Sequence, residues 1–287
     1  MRPEVAIIYD WENRWAIDDA QGFSKDRRNY EQTCKNHYRV FWNKGIPVDV
    51  IDMDCDFLNY KLLVAPMLYM VRPGVGERIE AFVKNGGTFV TTYATGYVDE
   101  NDLCFLGGFP GPLRKVTGIW AEEIDSLYPA DSNGITLSDG CMPGLKREYK
   151  AVDFCELIHA ETARTLGVYT EDFYAGRPAL TVNSFGQGKA WYMASRFDEG
   201  FLKDFYASLI AELGLKKVLN AELPTGVTAQ IRSDGSNEYI FVMNFSEEQR
   251  IVDLGQNKAN NMLTAEKDLT RISLKPYGVA VLRKKAE

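Results

Sequence analysis

The chain has 287 residues, of which 33 are basic and 40 acidic, so its formal net charge is −7. Its composition is 45% hydrophobic, 12% aromatic and 25% charged, which is ordinary for a globular protein and excludes a disordered, collagen-like or coiled-coil chain. The acidic balance argues against nucleic-acid binding, because that needs clustered Lys and Arg side chains. No apolar run approaches about 18 residues, so we expect no contact with a membrane interior.

The cysteines and the N-terminus predict a cytoplasmic protein. Five cysteines, at positions 34, 55, 104, 141 and 155, are widely spaced without a Cys-x-x-Cys pair, a pattern typical of reduced thiols rather than of disulfides or a zinc site. The first residues lead directly into a strand-like segment without the apolar region of a signal peptide. We expect no cofactor and no metal site.

The first ninety residues alternate between strand and helix patterns. Residues 4–9 are a short apolar run that predicts a buried strand, followed by a polar loop over 10–25. A helical stripe covers 26–44 and ends at Gly45 and Pro47. Further strands are predicted at 47–51, 62–66 and 88–92, with a helix at 75–84. This alternation predicts βαβ units, that is, a parallel sheet with helices on both faces.

The remainder of the chain is richer in strands. Residues 104–120 are rich in Gly and Pro, with a short amphipathic piece around 113–119. Strand patterns follow at 135–137, 154–158, 166–170, 179–185 and 190–194, and a tight turn at 184–189 predicts a hairpin. A helix is predicted at 198–213. After 223–226 only short strands remain, so we predict two domains: an α/β domain over 1–220 and a small C-terminal β-sandwich over 221–287.

Ligands of parallel α/β sheets usually bind at the carboxyl ends of the strands, but the loops after the first and fourth predicted strands lack the residues of a common active site. The loop after the first strand lacks the glycines of a phosphate cradle. After the fourth strand, Ala94 and Thr95 stand where an amidotransferase-like fold would place a nucleophilic cysteine. The chain has only two histidines, His37 and His159, and a lone histidine is more often structural than catalytic, which argues against His-assisted nucleophilic catalysis.

Several stretches together resemble one family, the middle trimerisation domain and small C-terminal β domain of family 42 β-galactosidases. The order and spacing of these stretches match over nearly the whole chain. The stretches are 5–13, 38–42, 45–49, 63–69, 86–90, 96–102, 106–114 and 186–192.

The resemblance implies a flavodoxin-like or class I glutamine amidotransferase-like sheet followed by a small antiparallel all-β domain. In this family the catalytic glutamates and a structural zinc site lie in a (β/α)₈ barrel, which needs about 250 residues and has no counterpart in this sequence. The resemblance therefore implies a non-catalytic assembly portion of a β-galactosidase-type hydrolase, inactive alone and homotrimeric in the full-length context.

The carboxyl-end loops hold the candidate site residues, because Trp, Tyr and Arg are enriched at the centres of interfaces. We expect subunit contact, or a nearby β-galactoside, at Trp11, Glu12, Arg14, Trp15, Tyr97, Asp99, Glu100 and Asn101. Three alternatives stay open: a hydrogen-bonded cluster that only stiffens the loops, a stand-alone carbohydrate-binding or regulatory module, and a paired-carboxylate enzyme using Asp99, Glu100 or Asp102.

Overall fold

The fold divides into two units of unequal size. The computed structural model describes residues 2–22, 26–255 and 258–285. The larger unit comprises Val5–His37 and Val50–Leu213, and the smaller unit comprises Met1–Glu4, Tyr38–Asp49 and Gly214–Glu287.

The helices occur mainly in the first half of the chain, and strands dominate the second half. The helices are α1 (Trp11–Asp19), α2 (Tyr30–Asn43), α3 (Val75–Lys84), α4 (Arg114–Thr117) and α5 (Glu199–Glu212). The strands up to residue 197 are β1 (Val5–Ile8), β2 (Val48–Ile51), β3 (Leu62–Ala65), β4 (Thr88–Thr92), β5 (Ile119–Ser126), β6 (Ser132–Leu137), β7 (Glu148–Ala160), β8 (Arg164–Tyr169), β9 (Pro178–Phe185), β10 (Gly188–Met193) and β11 (Ser195–Phe197).

These strands form one mixed sheet in the order β11-β7-β6-β8-β9-β10-β4-β3-β1-β2, with β5 paired to β7. Strands β1, β3, β4 and β10 are mutually parallel, whereas β9, β8, β6, β7 and β11 pair antiparallel. The α/β class is therefore confirmed, but the expected parallel arrangement is limited to one part of the sheet. The predicted hairpin at 184–189 is present, since β9 and β10 pair antiparallel around it.

The parallel strands β1, β3 and β4 are buried along their whole length, which explains their continuous apolar sequences. All four residues of β1 and of β3 are buried, as expected when helices cover both faces of a parallel sheet. Helix α3 buries Val75, Ile79 and Phe82, which recur at helical spacing and pack in one cluster with β1, β3 and β4 residues.

Two of the longer elements, α1 and β5, were not predicted from the sequence. The segment 10–25, predicted as a loop, contains helix α1, which begins after Asp10 because that side chain accepts the Glu12 and Asn13 amide hydrogens. Strand β5 was not predicted, since its acids break the apolar alternation and a bulge shifts its register between Ala121 and Glu123.

The smaller unit is antiparallel, as predicted. Its strands are β12 (Val227–Ser233), β13 (Asn237–Asn244), β14 (Arg250–Asp253), β15 (Asn260–Asn261), β16 (Arg271–Leu274) and β17 (Val279–Lys285). They form a four-stranded sheet, β12-β13-β17-β15, and a two-stranded sheet, β14-β16. Inward residues of both sheets share one apolar cluster that includes Val242, Val252 and Leu282.

Two features are absent from the part of the chain that the structure describes. Within 2–22, 26–255 and 258–285, no helix is long and apolar enough to cross a membrane. The same residues contain no group of three or more His, Cys, Asp or Glu side chains that could hold a metal ion.

Candidate functional site

The loops that follow β1, β3 and β4 are joined by buried hydrogen bonds. Asn13 of α1 donates from Nδ2 to the Met67 carbonyl at 3.1 Å, and its Oδ1 accepts the Met70 amide hydrogen at 2.8 Å. Met70 in turn forms a bridge to Val98 in the loop after β4. The three carboxyl-end loops are thus one connected layer rather than separate surface segments.

Helix α1 presents two tryptophans on its outer side. Trp11 and Trp15 are 57% and 62% exposed, and their ring centroids lie 6.5 Å apart. Tyr9 packs edge-on against Trp11 at 5.7 Å, and the guanidinium of Arg14 lies 5.2 Å from the Trp11 ring centroid. These contacts hold a large apolar area at the surface, where a partner can cover it.

The two charged candidates on α1 are paired locally. Glu12 Oε2 lies 2.6 Å from Arg72 Nη1, and the same guanidinium contacts the buried Asp10 at 2.8 Å. Arg14 Nη1 donates to the Tyr9 hydroxyl at 2.9 Å and lies 3.2 Å from Glu31. For these charges the geometry favours the role of stiffening the loops.

The loop after β4 is built around Tyr97. Its ring stacks on Phe109 with centroids 4.1 Å apart and on Tyr69 at 5.5 Å. Asp99 Oδ1 closes a turn by accepting the Asn101 and Leu103 amide hydrogens at 2.8 and 3.0 Å. The remaining candidates, Glu100 and Asn101, are exposed.

The helix and this loop meet at one surface. Trp11, Trp15 and Asp19 are four residues apart and therefore share one side of α1. Ala16 and Ile17 of α1 pack in one buried apolar cluster with Val98 of the loop, so the helix and the loop are adjacent. Burial raises the pKa of Asp102, and the nearby charges of Asp19 and Asp99 raise it further. Leu103 and Leu106 beyond it are 64% and 99% exposed. We call this area the α1 surface; it comprises Trp11, Trp15, Asp19, Asp102, Leu103 and Leu106.

A buried carboxyl lies beneath this loop, and sequence reasoning did not identify it. Glu156 of β7 is fully buried and accepts hydrogen bonds from the Tyr192 hydroxyl at 2.5 Å, the Tyr97 hydroxyl at 2.9 Å and the Ala94 amide at 3.1 Å. Burial raises its pKa to about 7, although all three hydrogen bonds act to lower it. The one available signal was an acid inside an otherwise apolar strand segment.

Each histidine is hydrogen-bonded or ion-paired to a side chain outside the loops after β1 and β4. His37 Nδ1 lies 2.5 Å from the Tyr206 hydroxyl, and burial lowers the pKa of His37 to about 3. His159 pairs with Glu122 at 2.6 Å and stacks on Trp120. At Ala94, where an amidotransferase-like fold would carry its nucleophile, the backbone is left-handed with φ of 54°.

Family comparisons match both parts of the chain. The model described as "Beta-galactosidase trimerisation domain" matches residues 3–216, and the model described as "Beta-galactosidase C-terminal domain" matches residues 226–284.

Curated relatives and solved structures agree with these matches. The chain is 56% identical to β-galactosidase Pbg of Clostridium perfringens and 47% identical to β-galactosidase BglY of Alicyclobacillus acidocaldarius, over 99% and 100% of its own length. A β-galactosidase structure from Rahnella sp. R3 superposes with a TM-score of 0.93 at 49% identity, and a GH42 β-galactosidase from G. stearothermophilus with 0.92 at 43%, each over 100% of the chain.

The chain spans only part of each of these proteins. It covers 41% and 42% of the two curated relatives and 41% of each of the two solved chains.

Proposed function

Because the chain belongs to the family of β-galactosidase trimerisation domains and carries that family's C-terminal domain after it, we propose that it is the assembly portion of a β-galactosidase-type glycoside hydrolase. In this role it holds three copies together and performs no hydrolysis of β-galactosides itself. We place it in the cytoplasm, with an α/β domain over 1–220 and a β-sandwich domain over 221–287.

The observation that carries the proposal is the α1 surface. Two indoles of α1 and two leucines of the adjoining loop after β4 are exposed, and the base beneath them is fixed by Asn13 and by the Tyr97 stack. Exposed apolar patches mark interaction sites, and Trp is prominent among interface hot spots. A rigid base lowers the entropic cost of association, because few side chains must be ordered on contact.

A ring of three copies also requires a second, different patch on each copy. Cyclic trimers use heterologous contacts, in which one surface meets another surface of the next subunit. We assign the second patch to Tyr128 and Phe173, which are 77% and 76% exposed. Asn133 of β6, the strand that follows Tyr128, is hydrogen-bonded to Glu171 in the connection that carries Phe173.

We further propose that the larger unit is a flavodoxin-like, class I glutamine amidotransferase-like fold without its nucleophile. Support comes from the parallel order β4-β3-β1 and from the left-handed Ala94, the second residue after β4. A strained turn at that place is how such folds expose a nucleophile, and the methyl group of Ala94 has no nucleophilic atom.

The test is the solution mass of single variants, measured by light scattering or sedimentation. We expect three copies for the unaltered chain, and dissociation for Trp15→Glu and for Phe173→Glu, since a buried unpaired charge opposes association. Leu58→Glu is the matched control, because Leu58 is 61% exposed and lies outside both patches; it should remain trimeric. An unaltered chain that stays monomeric at high concentration would sink the proposal.

A second candidate function is a carbohydrate-binding module. It is favoured by the two exposed indoles flanked by Glu12 and Arg14, since aromatic faces and charged hydrogen-bonding groups suit a sugar ring. Titration with galactose and lactose, followed by chemical shifts, tests it: a Kd below about 1 mM that is lost in Trp11→Ala supports the module, and no response favours assembly alone.

The paired-carboxylate alternative has its own assay. A nitrophenyl galactoside turned over by the isolated chain, with loss of turnover in Glu100→Gln, would overturn the proposal that the chain is inactive alone.

A further inference from the structure

Glu156 is positioned to control the loop after β4 from below. Its carboxyl group receives three donors, and two of them, the Tyr97 hydroxyl and the Ala94 amide, belong to that loop. The third, the Tyr192 hydroxyl, belongs to β10. Both loop donors bind the same oxygen, Oε1, so a single atom secures the start of the loop.

The titratable groups that face this carboxyl are phenols. Tyr97 approaches from the loop and Tyr192 from β10, while the Tyr169 hydroxyl of β8 donates to the main-chain carbonyl of Glu156. Burial raises the pKa of each of these phenols well above its usual value. The phenols therefore remain neutral near pH 7, and Glu156 is the group in this network that changes charge.

The two charge states of Glu156 hold the loop differently. When ionised, it accepts all three hydrogen bonds, and hydrogen bonds to a charged acceptor are about twice as strong as neutral ones. When protonated, its own O–H needs an acceptor, which competes with a phenol that donates in the ionised state. The ionised form therefore holds Tyr97 more tightly.

Tyr97 connects Glu156 to the loop residues of the α1 surface. Its ring lies between Tyr69 and Phe109, and its main-chain carbonyl accepts the Phe105 amide hydrogen at 3.0 Å. The exposed Leu103 and Leu106 lie on either side of Phe105. A looser Tyr97 therefore loosens the part of the α1 surface that a second copy would cover.

We propose that Glu156 is the positioning residue of the α1 surface and that its proton makes association with a second copy pH-dependent. This inference rests on the proposed assembly function. Association is tighter when Glu156 is ionised and weaker when it is protonated. In the protonated state the loop is less ordered, so the free energy needed to order it is subtracted from the free energy of association.

The first experiment measures the dissociation constant of the assembly by sedimentation between pH 6 and pH 8. For the unaltered chain we expect it to rise about fivefold to tenfold as the pH falls, which corresponds to the difference between a charged and a neutral hydrogen bond. Glu156→Gln is neutral at every pH and should show the weak, low-pH behaviour throughout. Tyr97→Phe removes the link, so its dissociation constant should be flat across the same range.

The matched control is Glu123→Gln, which removes one carboxylate at an exposed position of the neighbouring strand β5; it should keep the pH dependence of the unaltered chain. Pronounced pH dependence that persists in Glu156→Gln would overturn the inference.

The second experiment separates this inference from the assembly proposal. The ring resonances of Tyr97 are followed by NMR over the same pH range. They should shift with pH in the unaltered chain and stay constant in Glu156→Gln, even if the chain never associates. Association without any pH response of Tyr97 refutes the role of Glu156, whereas a Tyr97 response in a chain that stays monomeric refutes the assembly proposal alone.

Discussion

Ala94 shows how one residue combines backbone strain with a buried contact. Its φ of 54° lies in the left-handed region, which costs an L-residue about 1–2 kcal/mol, and its amide donates to Glu156. We expect Ala94→Gly to stay within about 1 kcal/mol of the unaltered chain, because relief of strain offsets the added flexibility of the unfolded state.

The matched variant is Ala94→Val, which places a β-branched side chain at the same left-handed and fully buried position. It should lose about 2 kcal/mol or more of unfolding free energy. Urea denaturation of both variants measures the difference, and equal midpoints would contradict the strain assigned to this position.

Glu156 should also make global stability pH-dependent. Its pKa is about 7 in the fold and near 4.5 when unfolded, so between these values the folded state binds more protons. The raised pKa of Glu156 therefore stabilises the fold fully below about pH 4.5, and this contribution to the free energy of unfolding disappears as the pH rises through about 7.

The comparison must be made against Glu156→Gln, because His37 acts in the opposite direction. The pKa of His37 is about 3 in the fold, so its contribution rises with pH up to its ordinary value of about 6.5. Calorimetry gives the melting temperature of both proteins between about pH 4.5 and pH 7.5. As the pH rises, the melting temperature of the unaltered chain should fall relative to that of Glu156→Gln. A constant offset between them would contradict the raised pKa.

Sequence reasoning could place the two tryptophans and Tyr97 at the carboxyl ends of the strands but could not place the residue beneath Tyr97. Trp11, Trp15 and Tyr97 follow predicted strands, so their position at one edge of the sheet follows from topology alone. Glu156 lies far along the chain on an antiparallel strand, and its proximity to Tyr97 depends on the pairing of β7 with β5, β6 and β11. Local patterns do not specify such pairings.

At the scale of elements, α1 depends on its N-terminal cap. Asp10 is buried, accepts the Glu12 and Asn13 amide hydrogens, and pairs with Arg72. Asp10→Ala should cost about 2–4 kcal/mol, since it removes a cap and leaves a largely buried guanidinium with exposed partners only.

The control for this change is Asp54→Ala, which removes the 76% exposed Asp54 from the same arginine and should cost under about 1 kcal/mol. Hydrogen exchange of the α1 amides, measured with urea denaturation, should show faster exchange in Asp10→Ala alone. Equal exchange in both variants would show that the cap does not hold the helix.

The elements with clear periodicity were predicted accurately. Helix α3 and strand β4 have the predicted bounds, because an apolar stripe and a continuous apolar run are unambiguous. Helix α1 was missed because its buried face consists of Asn13, Ala16 and Ile17, which hardly stands out from a polar loop. Its cap at Asp10 was the available signal.

At the scale of the molecule, the smaller unit includes a stretch that lies far from it in sequence. Thr228 Oγ1 donates to the Trp42 carbonyl at 2.7 Å, the Val218 amide donates to the Gly45 carbonyl at 2.8 Å, and Phe245 packs near Trp42. These contacts explain why Tyr38–Asp49 belongs to this unit. These contacts cannot be read from sequence order. A boundary predicted from composition therefore divides the chain at one point and leaves residues 38–49 out of the smaller unit.

We therefore expect a fragment of residues 221–287 to fold poorly alone. A domain of about 60 residues is marginal even when complete, and this fragment also lacks the buried core residues Val218 and Leu219. Circular dichroism should show a broad, weak thermal transition, compared with a steep one for the full chain. A sharp transition in the fragment would show that the contacts with residues 38–49 are dispensable.

The position of β10 in the sheet has a consequence for how the protein is made. Strand β10 lies between β4 and β9, and Lys189 pairs with Thr88, so about a hundred residues must be synthesised after β4 before its open edge is covered. An uncovered strand edge invites pairing with other chains, and such long-range pairing is slow. Nascent chains that stall before β10 should therefore be the ones that aggregate or recruit chaperones, while chains released beyond it fold.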